Sequence, residues 1–327
     1  MKAIVYNSYG SPDVLHLQEV AEPTLAHDHV LVKIHATSVN AADWLFLRGD
    51  ALLVRLMAGG VRSPKNKTLG VDTAGVVEAV GASVTRFKPG DAVYGDLSTS
   101  GAGGFAEYVA VPEKFLALKP TTLSFEAAAA VPLAGSTALQ AVRDAGAVQP
   151  GQTVLINGAS GGVGSFAVQI AKVFGAHVSA TCSTGKMDMV AALGAERVID
   201  YTRTDITAQG GRYDLVVDAA AHRPFSDYAS VLNPGGRYVV VGGALGRIFR
   251  ALLLGPVASL RGGKTFGAMS QKPNQTDLIA LKALIEEGKI IPALDRCFPL
   301  DQTAEAMRYF GAGQVRGKVV VRVIGGA

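Results

Sequence analysis

The hydrophobic rhythm of the chain changes twice. Up to about residue 122, apolar residues come in short strand-like runs, among them "KAIVY", "HVLVKIHATSV", "TAGVVEAVG", "DAVYG" and "FAEYVAVP". Turn residues such as Pro89-Gly90-Asp91 and the stretch "STSGAGG" separate these runs, which reads as mostly β structure. Near Ser124 the texture becomes an Ala-rich helical stretch, "SFEAAAAVPLAGSTALQAVRDAG", with Ser124 and Glu126 near its start. From Thr153 onward, strands alternate with helices: "TVLIN", a helix over 162–174, "HVSATC", the helix "KMDMVAALG", "RVID", "YDLVVDA" and "GRYVVVGG". Such alternation predicts βαβ units and a doubly wound parallel sheet in an α/β fold. The helix over 162–174 is the best patterned, with Val163, Phe166, Ala167, Ile170, Ala171 and Phe174 on one face and Gly175 ending it. A last helix over 277–288 leads into strand-like runs that end in "GKVVVRVI".

Composition narrows the class. A chain of 327 residues suits two domains of ordinary size. With 49% apolar and only 18% charged residues, disorder is excluded. The balance of 31 basic against 27 acidic residues gives +4, too mild to predict a nucleic-acid partner but suited to an anionic ligand. Cys182 and Cys297 alone build neither a disulfide framework nor a four-cysteine zinc site. The opening "MKAIVYNSYG" reads directly as a strand without a signal-peptide pattern, and no run reaches the roughly 18 apolar residues of a membrane span. The expectation is a cytoplasmic protein.

Chemistry first appears at "NGASGGVGSFAVQIA", where a strand turns into a helix through several glycines. Glycines permit a tight turn and leave no Cβ between a helix N-terminus and a bound pyrophosphate. Unpaired N–H groups and the positive end of the helix dipole then face the phosphates. The pattern is Ala159-Ser160-Gly161-Gly162-Val163-Gly164, a variant of the usual fingerprint, and a purely structural βα turn is its bland alternative. An NAD site normally places Asp or Glu about twenty residues on, to accept from the ribose 2′-OH. Here 178–187 is "VSATCSTGKM", without an acid but with Ser183, Thr184 and Lys186. A hydroxyl and an ammonium would hold a 2′-phosphate that a carboxylate repels, so the expected cofactor is NADPH. A solvated helix-start lysine is the alternative for Lys186.

"INGASGGVG", "LGVDTAGVVEAVG", "FKPGDAVYG", "GGFAEYVAVP", "VPLAGSTALQAV" and "GGRYVVVGG" together resemble the medium-chain dehydrogenase/reductases, most closely the zinc-free quinone oxidoreductase branch related to zeta-crystallin. The resemblance runs from Met1 to about Val323. It implies a GroES-like β domain built from both chain ends (1–122 and 271–327) and a Rossmann domain (123–270), with the active site in a cleft between them. It also implies a homodimer. Zinc members use Cys, His and Cys as catalytic ligands, and the matching positions here are Asn40, Val71 and Leu133. These supply no thiolate, imidazole or carboxylate, and the four-cysteine structural-zinc lobe is absent, so no metal is expected.

Without a Lewis acid, an unactivated ketone loses its usual polarisation. A quinone or α,β-unsaturated carbonyl needs less help, and hydrogen-bond donors suffice for the charge that develops on its oxygen. The expected reaction is therefore NADPH-dependent reduction of a quinone or enone. An enoyl-thioester reductase and a non-catalytic NADPH-binding protein are the competing readings, although no tyrosine lies between Tyr9 and Tyr94 to serve the former as acid.

The resemblance places Asn40 and Thr137 near the nicotinamide, with Asn40 donating its amide to the substrate or acting as a mere turn residue. Asp43 either orients a neighbour or caps a helix starting at Trp44. By the same resemblance, Tyr201 lies beside the adenosine phosphate and Gly242 and Gly243 near the nicotinamide ribose. Lys318 matches the family's C-terminal "GK" among the cofactor contacts, with a snorkelling strand lysine as its alternative. His16 and His35 lack compelling partner spacing and read as structural. The apolar, arginine-bearing segments 51–62 and 245–264 are expected as a substrate lid, a subunit contact or a peripheral membrane-facing patch.

Overall fold

The computed structural model describes residues 1–260 and 263–324, and the chain forms two units. The first unit is Met1–Leu133 with Pro273–Gly288 and the residues from Pro292 on; the second is Ala134–Lys272 with Lys289–Ile291. The first unit thus continues past residue 122 to Leu133, and the second reaches Lys272 rather than ending at 270.

In the first unit, β1 (Lys2–Val5) pairs antiparallel with β2 (His16–Glu19). The main sheet has seven strands. Five come from the N-terminal part: β3 (His29–Val39), β4 (Asp72–Val80), β5 (Ala92–Asp96), β6 (Tyr108–Pro112) and β7 (Leu116–Leu118). Two come from the far end of the chain, Leu294–Pro299 and Lys318–Arg322, and the latter pairs antiparallel with β3. Val30, Val32 and Ile34 of β3 alternate into a core with Val77, Val93, Val111 and Leu116. After Ala36 the strand is buried on both faces, although Thr37 and Ser38 are polar. Their hydroxyls must find protein partners there, and both find Asp72, the first residue of β4.

Helix α1 spans Ala41–Arg48 and so starts before Trp44, which corrects the sequence expectation. Its cap is Asn40, held in extended backbone, and Asp43 sits at the third helical position, where its carboxylate accepts the Asn40 N–H at 2.9 Å. The Ala-rich stretch is interrupted. Ser124 caps a short helix, Phe125–Ala129, by accepting the Ala127 N–H. Pro132 cannot continue that helix, because it lacks an N–H and disfavours helical backbone at the preceding residue. A new helix, Pro132–Leu139, begins there and widens into a π-helical turn at Gln140–Ala145. The last predicted helix lies at Gln275–Glu286, two residues earlier than its pattern suggests, because Asn274 caps it through the Asp277 N–H.

The second unit holds a sheet of six parallel strands, β8 (Thr153–Asn157), β9 (His177–Cys182), β10 (Arg197–Asp200), β11 (Tyr213–Asp218), β12 (Leu232–Val240) and β13 (Thr265–Ala268). Their order is β10-β9-β8-β11-β12-β13, so the chain reverses its winding at β8, between β9 and β11. Ligands bind outside the C-terminal strand ends at such a switch point. Leu155, Val216 and Tyr238 pack among Tyr228, Leu232 and Phe266 in this unit's core.

Segment 51–62 contains a short helix, Leu52–Met57, and segment 245–264 a longer one, Leu245–Ser259. The longer helix buries Ala251 and Gly255 and exposes Leu252, Leu253, Leu254 and Val257. Arg261 and Gly262 of the second segment lie outside the described residues. No helix among the described residues is long and apolar enough to cross a membrane.

Candidate active site

Two groups of the predicted residues are brought together, one in each unit. In the first unit the centre is Asp72, a residue not among those expected from sequence. It is fully buried, as is Ser38, and it gathers four donors from three segments of the chain. Ser38 Oγ donates to Asp72 Oδ2 at 2.5 Å and Asn40 Nδ2 at 2.8 Å. The Lys318 ammonium lies 3.2 Å from the same oxygen, and the Leu133 N–H donates to Oδ1 at 2.8 Å. Lys318 also donates to Asn40 Oδ1 at 2.6 Å.

These partners fix the orientation of the Asn40 amide. A lysine ammonium only donates and a carboxylate only accepts, so the oxygen must face Lys318 and the nitrogen Asp72. The second amide hydrogen has the Ser38 carbonyl at 3.3 Å, beyond the usual N–H···O range. Lys318, expected from the family resemblance among the cofactor contacts, does not snorkel: its side chain is 3% exposed and bonded to Asn40 and Asp72.

Asp43 is also completely buried, and its two oxygens accept the N–H groups of Asn40 and Gly70, each at 2.9 Å. Its position is therefore that of an anchor between α1 and the turn before β4. Burial pushes its carboxyl up to about 7, with the nearby Asp72 charge adding to the rise; the two backbone donors and the Lys318 charge pull the other way.

In the second unit, β8 runs into the glycine turn and then into α2 (Gly162–Val173). The Gly161 N–H closes the turn on the Gly158 carbonyl at 3.1 Å, and the Ala159 N–H bonds to the Thr181 carbonyl at 3.0 Å. A Cβ on Gly164 would fall 2.2 Å from the Gly158 oxygen, so only glycine lets the helix start this close to the strand end. Ser160, Gly162 and Val163 complete the turn, with the first N–H groups of α2 at its mouth. This backbone cradle fits a pyrophosphate.

Ser183 and Lys186 bracket the 3-10 turn Thr184–Lys186 directly after β9, and Tyr201, 56% exposed, follows β10. The two loops adjoin, since the Tyr201 N–H donates to the Cys182 carbonyl at 3.2 Å. An acid is present after all, contributed by the neighbouring strand: Asp200 stands in register with Cys182. Its carboxylate accepts from Thr184 Oγ1 and from the Thr202 N–H and hydroxyl at 2.9 and 2.7 Å, and Arg203 Nε lies 3.7 Å away. The Thr184 and Thr202 hydrogen bonds hold it below the usual carboxylate range. Gly242 and Gly243 follow β12, and Gly243 has a positive φ of 108°. Thr137 is nearly buried in the helix Pro132–Leu139. Among the described residues, no three His, Cys, Asp or Glu side chains group as a metal site.

Comparison with known proteins agrees with this architecture. Residues 26–121 match the alcohol dehydrogenase GroES-like domain, and residues 193–321 the family described as zinc-binding dehydrogenase. The 2-methylene-furan-3-one reductase of Solanum lycopersicum is 38% identical over 99% of this chain and 79% of its own length. The NADPH-dependent alkenal/one oxidoreductase of Arabidopsis thaliana, a chloroplastic protein, is 37% identical over 98% and 79%. Among solved structures, the quinone oxidoreductase of Coxiella burnetii superposes with a TM-score of 0.89 at 31% identity, covering 99% of both chains. The chain belongs to the medium-chain dehydrogenase/reductase superfamily, among its quinone and alkenal oxidoreductases.

Proposed function

We propose that this oxidoreductase reduces a quinone or an α,β-unsaturated carbonyl with NADPH and without zinc. The observation that carries the reading is the oriented Asn40 amide at a position where zinc relatives place a metal ligand. Val71 and Leu133, at the other two such positions, have hydrocarbon side chains that cannot ligate. A neutral donor suits a substrate that is already electron-poor.

Bound NADPH supplies the hydride. The turn Ala159–Gly164 would hold the pyrophosphate through backbone N–H groups, while Ser183, Lys186 and Tyr201 would surround the 2′-phosphate. Asp200 is already held by Thr184 and Thr202, with the Arg203 guanidinium beside it. Gly242 and Gly243 would approach the nicotinamide ribose of the bound cofactor, and Thr137 would border its ring. As hydride reaches the substrate carbon, charge moves to the carbonyl oxygen, where Asn40 donates; a proton from water completes the addition.

NADPH oxidation measured against a panel of quinones, enones and enoyl thioesters tests the reading. Turnover is expected with the first two, and thioesters as the sole acceptors would overturn it. Lys186→Ala is expected to weaken NADPH binding roughly tenfold while leaving NADH binding nearly unchanged. Equal losses for both cofactors would remove the 2′-phosphate role. The same reading takes the protein as a cytoplasmic homodimer, and a monomeric mass in sedimentation would contradict the latter part.

A further inference from the structure

We propose that Asp72 and Lys318 are positioning residues for the reaction: together they hold the Asn40 amide as an aimed hydrogen-bond donor to the substrate oxygen. The inference rests on the quinone/enone reading above and assigns a purpose to a buried ion pair that the reading leaves unused.

The first observation is what the pair touches. A buried ion pair is a poor device for stability, because desolvating both charges offsets much of their attraction. Here both charges converge on one neutral side chain. Asn40 receives the ammonium on its oxygen and gives one amide hydrogen to the carboxylate, at 2.6 and 2.8 Å. The amide plane is thereby pinned at both ends. An ammonium on the amide oxygen also draws electron density from the N–H bonds and strengthens them as donors.

The second observation is where the cluster opens. Ser38 and Asp72 are 0% exposed, Lys318 2% and Asn40 6%, so Asn40 is the most accessible of these four polar side chains. The remaining amide hydrogen is also its weakest link, with the Ser38 carbonyl at 3.3 Å. It can be given to an incoming oxygen without breaking a good hydrogen bond. Leu133 strengthens the case, because its N–H occupies Asp72 Oδ1 and leaves Oδ2 to face Ser38, Asn40 and Lys318.

The double variant Asp72→Asn/Lys318→Met tests this. It removes both charges at once, so neither is left buried and unpaired. The Leu133 N–H claims the single oxygen of an asparagine at 72, which turns an NH2 group toward Asn40 in place of an acceptor. The fold and NADPH affinity are expected to persist, with kcat reduced roughly a hundredfold to a thousandfold, as for loss of an oxyanion donor, and KM for the acceptor changed much less. Adding Asn40→Ala should then lower kcat little further, because the amide is already unaimed.

A second readout is independent of turnover. In 1H–15N spectra, the two Asn40 side-chain amide protons should be widely separated and slow to interconvert in the parent protein, and should converge in the double variant. Parent-like kcat in the double variant, or Asn40 resonances that do not respond to it, would overturn the proposal. A parent protein that turns over neither quinones nor enones sinks the underlying reading instead, and the positioning claim then stands or falls on the amide resonances.

Discussion

Each unit is built around a buried aspartate, and the two are satisfied in opposite ways. Asp72 opens β4 and Asp218 closes β11, and both are 0% exposed. Asp218 is held by neutral donors: Asn157 Nδ2 at 2.7 Å, the Ala220 and Ala221 N–H groups at 3.1 and 2.7 Å, and the Tyr238 hydroxyl at 2.7 Å. Asp72 has three neutral donors and a lysine ammonium. Neutral donors share the load, so losing one leaves a graded deficit. An ion pair concentrates it, so losing one member strands a charge in a medium that cannot solvate it.

The largest expected effect follows from that asymmetry. Lys318→Met leaves Asp72 without its counter-charge and is expected to cost about 3–5 kcal/mol in urea unfolding. Adding Asp72→Asn should recover most of the loss, despite being a second substitution in the same cluster. A double variant no more stable than the single one would show that the two charges are not coupled.

A smaller effect is read in pH. Asp43 has its carboxyl raised to about 7 from an ordinary 3.8, so the folded state holds this proton more tightly than the unfolded chain does. Its contribution to stability is complete below about pH 4, declines as pH rises and is gone above about 7. Between pH 5 and 7 the decline is on the order of 2–3 kcal/mol from this group. Because Asp72 raises this carboxyl and Lys318 lowers it, the window should move upward in Lys318→Met and downward in Asp72→Asn. Unfolding midpoints across pH 5 to 8 check both displacements, and identical profiles in all three proteins would separate Asp43 from the ion pair.

The two sites also differ in how far they were legible in the sequence. The Rossmann cradle is local: strand, turn and helix follow one another within 153–173, so periodicity and glycine spacing reveal it. Even there, the neighbouring acid escaped notice, because Asp200 meets Thr184 only through the pairing of β10 with β9. The Asp72 cluster is assembled from residues 38, 40, 72, 133 and 318, whose contacts exist only once β3, β4 and the C-terminal strand are in register. One signal was present in "LGVDTAGVV": an acid at the start of an apolar strand must be buried with partners. No pattern along the chain could name Lys318 as one of them. The helix start is hidden for a related reason, since Asp43 looks like a cap in sequence while Asn40, three residues earlier, occupies that place.

The smallest effect sharpens the contrast from the neutral side. Tyr238→Phe removes one of four donors to Asp218 and leaves the ring among Tyr228, Phe225 and Phe266. One oxygen loses its phenol, while the other keeps Asn157 and two backbone N–H groups. The expected cost is about 1.5 kcal/mol, the low end for a hydrogen bond to a charged group. No rescue by Asp218→Asn is expected, because the amide oxygen would keep the Asn157 and backbone donors while its NH2 group would turn to the side the phenol has left, where a phenylalanine ring offers no acceptor. Rescue at Asp72 without rescue at Asp218 is the pattern that separates a paired charge from a solvated one. Equal rescue at both would mean that burial alone, and not the lysine, sets the cost of each carboxylate.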